Sequence, residues 1–115
     1  MAQFNELPDY KATCDLLLAI FQFTKELSKE YKYTVGESIE NETIELLPLI
    51  YRANTRHQKV DVLQMAREKI EVIRLLINVM KDMLQISLEK FIIINEAVEN
   101  ISKLLCGWQK SVKGS

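Results

Sequence analysis

The sequence predicts an all-α protein, an up-down antiparallel four-helix bundle formed as one domain by residues 1–115. Apolar residues make up 48% of the chain and charged residues 27%, a balance typical of globular proteins. Only 3 Gly and 2 Pro are present, so long segments lack the residues that interrupt helices. Four segments repeat apolar residues at spacings of three and four, which is the period of one helical face.

The first two predicted helices cover about residues 9–29 and 34–54. Thr34 followed by Glu37 has the capping-box spacing, in which each side chain satisfies a free backbone N–H at a helix start. Pro48 lies inside the second helix, where we expect a kink because proline removes one backbone hydrogen bond. The residues predicted to face inward are Leu16, Ile20, Phe23 and Leu27, then Ile39, Thr43, Leu46 and Ile50.

The last two predicted helices cover about residues 59–84 and 87–110, with Ser87 as the N-cap of the fourth. Short connections between all four helices favour antiparallel neighbours. The predicted inward residues are Leu63, Ala66, Ile70, Ile73, Ile77, Met80 and Leu84, then Phe91, Ile94, Val98, Ile101, Leu105 and Trp108.

The third and fourth helices carry more apolar residues than one inward face requires. Exposed apolar patches of several hundred Å² are unusual on monomers and often mark interfaces, so we expect a homo-oligomer. The alternative is a monomer with a few solvent-facing aliphatic side chains. The surplus residues are Met65, Val72, Leu76, Val79 and Met83 in the third helix, and Ile92 and Ile93 in the fourth.

The residues that enzymes and metalloproteins need are sparse. One histidine, His57, is too few for a di-iron bundle, and no Cys-x-x-Cys, Walker loop or GxGxxG occurs. Cys14 and Cys106 lie in apolar runs, where thiols pack as small hydrophobes. We therefore expect no enzyme activity, catalytic residue, metal or cofactor. With neither an export signal nor a membrane-spanning run, the sequence predicts a cytoplasmic protein with reduced thiols and no membrane partner.

The net charge is −1, so any affinity for nucleic acid must come from a local basic patch. No acid occurs between Glu45 and Asp61 or after Glu99, and an up-down bundle brings these two stretches to the same end. Alternatively, cations there only stabilise helix C-termini. The candidate residues for nucleic-acid or partner binding are Arg52, Arg56, His57, Lys59, Lys103, Lys110 and Lys113.

Three segments resemble a known family. Residues 34–42, TVGESIENE, and 46–54, LLPLIYRAN, resemble the second helix of the four-helix bundle proteins related to Avd, the accessory variability determinant of diversity-generating retroelements. Residues 107–111, GWQKS, resemble the C-terminal pattern of the same family. The likeness extends from Tyr10 to Ser111.

The resemblance implies a ring-like homo-oligomer, typically a pentamer, whose basic surface binds a reverse transcriptase and its template RNA. Such an accessory protein has no active site and supports mutagenic copying of template RNA into cDNA. Arg52 and Arg56 stand at the family-like positions for contact with a polyanion or the reverse transcriptase.

A second function is compatible with the same resemblance. The members of this family that bind nucleic acid are strongly basic, whereas the net charge of this chain is near neutral. Pro48 also interrupts the second helix, where the family has an uninterrupted aliphatic helix. A sister branch of the family is encoded within intervening sequences of large-subunit ribosomal RNA genes. The alternative prediction is therefore a structural oligomer or protein–protein adaptor of that branch, without affinity for nucleic acid.

Overall fold

Four long helices and one short helical segment account for most of residues 7–55 and 59–113, the parts of the chain that the structure, a computed structural model, describes. No strand occurs in these residues, which confirms the all-α prediction. The elements are α1 (Pro8–Thr24), α2 (Lys29–Tyr31), a π-helical turn (Lys32–Gly36), α3 (Glu37–Thr55), α4 (Lys59–Asp82) and α5 (Leu88–Lys113). None of the described helices is long and apolar enough to cross a membrane.

The four long helices pack around one core. Both α1 and α4 pack against α3 and α5, so α1 and α4 occupy opposite corners of the bundle. Lys90 at the start of α5 forms an ion pair with Glu26, just after the end of α1. Gln109, near the other end of α5, donates a hydrogen bond to the carbonyl of Val60 at the start of α4.

Nearly all of the predicted inward residues are buried in this core. They are Leu16, Ile20, Phe23, Leu27, Ile39, Thr43, Leu46, Ile50, Leu63, Ala66, Ile70, Ile73, Ile77, Met80, Ile94, Val98, Ile101 and Leu105. Phe91 and Trp108 are half-buried and pack against the core. The prediction was wrong for Leu84, which lies beyond the end of α4 and is exposed.

The break between the first two long helices lies earlier than predicted. The first helix ends at Thr24 rather than near residue 29, and its last turn tightens through a hydrogen bond from the Leu27 N–H to the Thr24 carbonyl. Ser28 is extended and α2 begins at Lys29. The predicted capping box at Thr34 is therefore wrong, because the Thr34 hydroxyl donates to the Glu30 carbonyl inside the helix instead.

The π-helical turn joins α2 to α3 without a break. Its last residue, Gly36, is buried at the point where Leu27 packs across the turn. A Cβ atom on Gly36 would lie 3.0 Å from Cδ1 of Leu27 and 3.1 Å from the carbonyl oxygen of Tyr31. Glycine thus provides the close approach that this packing needs.

Pro48 lies inside α3, as the sequence predicts. Its ring nitrogen carries no hydrogen, so the Ile44 carbonyl one turn earlier lacks its usual helical donor. Pro48 is exposed, which leaves that carbonyl near the solvent side of the helix.

The helix α5 begins at Leu88, directly after the predicted N-cap Ser87. The Ser87 hydroxyl accepts a hydrogen bond from the Lys90 N–H over 3.2 Å, which confirms the cap. The helix extends to Lys113, beyond the predicted end near residue 110.

A left-handed residue ends α4. The Gln85 N–H donates to the Met80 carbonyl (2.9 Å) and the Leu84 N–H donates to the Lys81 carbonyl (3.0 Å), which is the Schellman arrangement. Leu84 has φ 58° and is 88% exposed. This position favours glycine, since a side chain there crowds the following carbonyl.

Asp9 is a buried carboxylate in the first turn of α1. It is 6% exposed, and its Oδ2 has no hydrogen-bond partner within the described part of the chain. Burial raises the pKa of Asp9 above its ordinary value of 3.8, because desolvation penalises the charged form more than the hydrogen bond to its own backbone favours it.

Replacing Leu84 with glycine is expected to stabilise the protein by about 1 kcal/mol, because the left-handed conformation costs about 1–2 kcal/mol for a residue with a side chain. Little burial is lost, since Leu84 is exposed. Urea unfolding measures the change, and Leu84→Ala is the control because alanine keeps the strain. Equal stabilities of the two variants would contradict the assignment.

Asp9→Asn is expected to stabilise the protein near pH 7 and to lose this advantage in acid. Because burial raises the pKa of Asp9 in the folded state, its contribution to the free energy of unfolding is greatest at pH values below the ordinary pKa of aspartate. This contribution falls as the pH rises through the pKa of the folded state, where the buried carboxyl group becomes charged. Urea unfolding from pH 3 to 8 tests this. Asp15→Asn, which changes an exposed acid of the same helix, serves as the control. A stability difference independent of pH would oppose the prediction.

Candidate nucleic-acid and partner-binding surface

Two of the predicted basic residues lie together on the outward side of α5. Lys103 and Lys110 are exposed and seven residues apart, which places them on one helix face about 10 Å apart along the axis. Gly107 lies between them and is also exposed. We call Lys103, Gly107 and Lys110 the α5 lysine face.

Gly107 is not required by the packing of this chain. A Cβ atom built on it would meet nothing within 4 Å. Glycine in a helix interior costs roughly 0.5–1 kcal/mol relative to alanine. Its absent side chain leaves helix backbone open between two lysines, where another molecule can approach closely.

A hydrogen-bond network centred on the buried side chain of Gln109 holds this end of α5 in place. Gln109 is 2% exposed, and its side-chain amide donates to the Val60 carbonyl (3.1 Å) and to Oε1 of Gln64 (3.2 Å). Arg67 donates to Oε1 of Gln109 over 2.5 Å. These contacts tie α5 to the first three turns of α4 and so orient the α5 lysine face.

Arg52 and Lys59 lie apart from the α5 lysine face. Arg52 is exposed near the end of α3, beside Met65 and Lys69 of α4. Lys59 is the half-buried first residue of α4. Since α3 packs against α1 and α4, the outer surface of α4 separates Arg52 from the lysines of α5.

The other predicted basic residues fall outside what the structure describes. Arg56 and His57 lie in the gap at residues 56–58, and Lys113 is described only as the last residue of α5. Among the described residues, no ion pair involves Arg52, Lys59, Lys103 or Lys110.

The charges of α4, a helix described along its whole length, are segregated. Its exposed charged residues are Asp61, Glu68, Glu71 and Asp82, all of them acidic. Its cations are half-buried, and all of them except Lys59 contact a neighbouring helix. Lys69 contacts Glu42 (3.0 Å) and Glu45 (2.5 Å) of α3, and Arg74 contacts Glu99 of α5.

These contacts also affect proton binding. The pKa of Lys69 is raised, first by the hydrogen bond to Glu45 and then by the one to Glu42. Lys69 therefore stays charged at neutral pH and is occupied by α3, not available to a ligand.

The surface is suited to binding anions by charge. No group of three His, Cys, Asp or Glu side chains within the described ranges comes together as metal ligands. The α5 lysine face offers two exposed ammonium groups and an exposed glycine, which can contact phosphates or carboxylates without reading a sequence.

The network around Gln109 was not among the predictions from the sequence. The available signal was the position of this glutamine inside the GWQKS segment, two residues from the glycine and next to Trp108. Its amide is structural, whereas the neighbouring Lys110 is exposed.

Comparisons with known proteins agree with the fold. The family described as bAvd-like matches residues 10–112, which is most of the chain. Searches of curated proteins and of solved structures find no match. The matched segment includes all of α3 and α4 and nearly all of α1 and α5, together with the α5 lysine face. On this match over most of its length, the chain belongs to the bAvd-like family.

Proposed function

We propose that the protein is a non-catalytic accessory protein of a diversity-generating retroelement that acts in the cytoplasm. In this role it binds a reverse transcriptase and template RNA and supports mutagenic cDNA synthesis. Membership of the bAvd-like family is the observation that carries the proposal. The α5 lysine face supports it further, because Lys103 and Lys110 are exposed and have no ion-pair partner among the described residues.

The proposal includes an up-down order of the helices and a ring-like homo-oligomer, with five subunits as the family resemblance implies. Contacts between helix ends support the order, since α5 begins beside the end of α1 and ends beside the start of α4. Exposed aliphatic residues support the oligomer. They include the surplus residues Met65, Val72, Val79, Met83, Ile92 and Ile93.

An oligomer would strengthen binding by repetition. One subunit offers few phosphate contacts, each of them weak in physiological salt. Several subunits on one RNA act together, because each contact raises the effective concentration for the next. The basic residues proposed to contribute are Arg52, Arg56, His57, Lys59, Lys103, Lys110 and Lys113.

A structural oligomer or protein–protein adaptor without affinity for nucleic acid is the second candidate. The acidic outer surface of α4 favours it, because Asp61 and Glu68 repel phosphates near the same end of the bundle. Mass measurement by light scattering after size exclusion, with and without a structured RNA hairpin at low and moderate salt, separates the two. Salt-sensitive RNA binding supports the first, and an oligomer that ignores RNA supports the second.

Lys103→Glu combined with Lys110→Glu is expected to weaken hairpin RNA binding. The slope of log affinity against log salt should fall by about 1 for each phosphate that the variant no longer neutralises. Fluorescence anisotropy across a salt series measures both. Lys29→Glu with Lys32→Glu is the control, since it changes the net charge equally at the opposite end of the bundle. RNA affinity that falls equally in both double variants would argue against a specific surface on α5.

Gly107→Ala is expected to raise the stability of the folded chain by about 0.5–1 kcal/mol, because alanine favours helix and nothing lies within 4 Å of its added Cβ. The same variant should bind RNA or reverse transcriptase less well if a partner approaches this backbone. Thermal unfolding and anisotropy are measured on the same sample. A variant that is more stable but binds RNA and reverse transcriptase as well as the wild type would show that Gly107 is not part of the binding surface.

A further inference from the structure

Two outward helix faces carry apolar side chains that the bundle leaves uncovered. On α1 and the residue that follows it, Lys11, Leu18, Phe21 and Lys25 are exposed, and we call them the α1 outer face. Leu18 is 63% exposed and Leu75 of α4 is 64% exposed. The corresponding α4 outer face consists of Glu68, Val72, Leu75, Val79 and Asp82.

The two faces point to opposite sides of the molecule. Both α1 and α4 bury their inner sides against α3 and α5, and they occupy opposite corners. One copy of the chain can therefore present its α1 outer face to one neighbour and its α4 outer face to another.

The two faces also lie at the same height along the bundle. Glu26, just after α1, forms an ion pair with Lys90 of α5. The ammonium group of Lys81, near the end of α4, lies 4.7 Å from the ring centre of Phe91, the next residue of α5. These contacts place the end of α1 level with the end of α4. Leu18 precedes Glu26 and Leu75 precedes Lys81 by similar numbers of residues, so Leu18 and Leu75 are level to within about one helical turn, 5.4 Å.

Spacing and charge are complementary. Lys11, Leu18 and Lys25 are separated by seven residues each, and so are Glu68, Leu75 and Asp82. Seven residues are close to two helical turns, which keeps each set on one face. Two helices laid side by side in the same direction would pair lysine with acid at both ends and leucine with leucine between.

The cations of α4 near this face are directed to other helices, since Lys69 and Arg74 are held by acids of α3 and α5. Arg67 donates to Gln109 and Lys81 lies over the ring of Phe91, both in α5. On α1, Asp15 is exposed one turn before Ala19, which lines a groove with Ile93 and Ile94 of α5, so it lies to the α5 side of Leu18. The acidic surface of α4 that disfavours RNA is thus well suited to a basic protein face.

We propose that the α4 outer face of one copy of this chain binds the α1 outer face of a second copy. Such a head-to-tail contact uses different surfaces on its two sides and closes into a ring when the rotation between neighbours allows it. The inference rests on the proposed homo-oligomer and specifies its interface. Because Lys103, Gly107 and Lys110 belong to neither outer face, the α5 lysine face remains accessible on every subunit.

Two single variants test the direction of the contact. Leu18→Asp damages the α1 outer face and Leu75→Asp damages the α4 outer face, and both positions are exposed in the bundle. Each variant alone is expected to be a helical monomer, with self-association weakened about 100-fold or more by an unpaired charge in an apolar contact. Light-scattering mass and circular dichroism measure assembly and fold.

Mixing the two variants is the decisive measurement. The first retains an intact α4 outer face and the second an intact α1 outer face, so an equimolar mixture is expected to form a one-to-one heterodimer. A symmetric contact, in which one face binds itself, would instead leave one of the variants able to dimerise alone, and that result would overturn the proposal.

Charge reversal provides a test that does not depend on burying aspartate. Lys11→Glu and Glu68→Lys are each expected to weaken the oligomer, and the double variant is expected to restore it because every contact then regains an opposite pair. Leu88→Asp, which changes an exposed leucine outside both faces, is the matched control and should keep the wild-type mass.

The outcomes separate this proposal from the proposed function. A wild-type chain that is monomeric, or an oligomer that survives the Leu18 and Leu75 variants, overturns the interface whether or not RNA binds. An oligomer that dissociates as expected but never binds hairpin RNA or reverse transcriptase supports the interface and counts against the accessory function.

Discussion

Burial of one aliphatic stripe from each of the four long helices is the interaction on which the rest of the structure depends. Most of the stability of helices in proteins comes from tertiary packing of their apolar faces, so these helices depend on the shared core. Two of the buried threonines in that core are satisfied locally. The hydroxyls of Thr13 and Thr43 donate to the carbonyls four residues earlier, at 2.7 and 2.8 Å, and so cost little when buried.

The packing of this core also determines where the charges lie. Lys69 and Arg74 sit beside the seams of α4 with its neighbours, close enough to reach Glu42 and Glu99. Because the cations are used inside the molecule, the outer surface of α4 is acidic. A net charge of −1 therefore conceals an uneven surface, in which α4 exposes acids and the end of α5 exposes Lys103 and Lys110.

This separation has consequences for function. An acidic, apolar helix face is poorly suited to RNA and well suited to a protein, whereas an exposed pair of lysines beside open backbone is suited to phosphates or carboxylates. Assembly through α1 and α4 would repeat the α5 lysine face around a ring. A chain with little overall charge would then bind a polyanion through repetition of a weak local surface.

The sequence by itself determined the helices and most of the core, because apolar residues at three- and four-residue spacing define the helix face that must be buried. It also indicated the family, through the resemblance of residues 34–42, 46–54 and 107–111. It misplaced the first helix break, since the close packing of Leu27 over Gly36 is a tertiary contact with no local signal. Only the tertiary structure showed that Gln109 is structural, that Leu84 is exposed, and that α4 separates Arg52 from Lys110. Which charges pair and which stay exposed depends on contacts between helices distant in the chain, and periodicity within one helix carries no information about them.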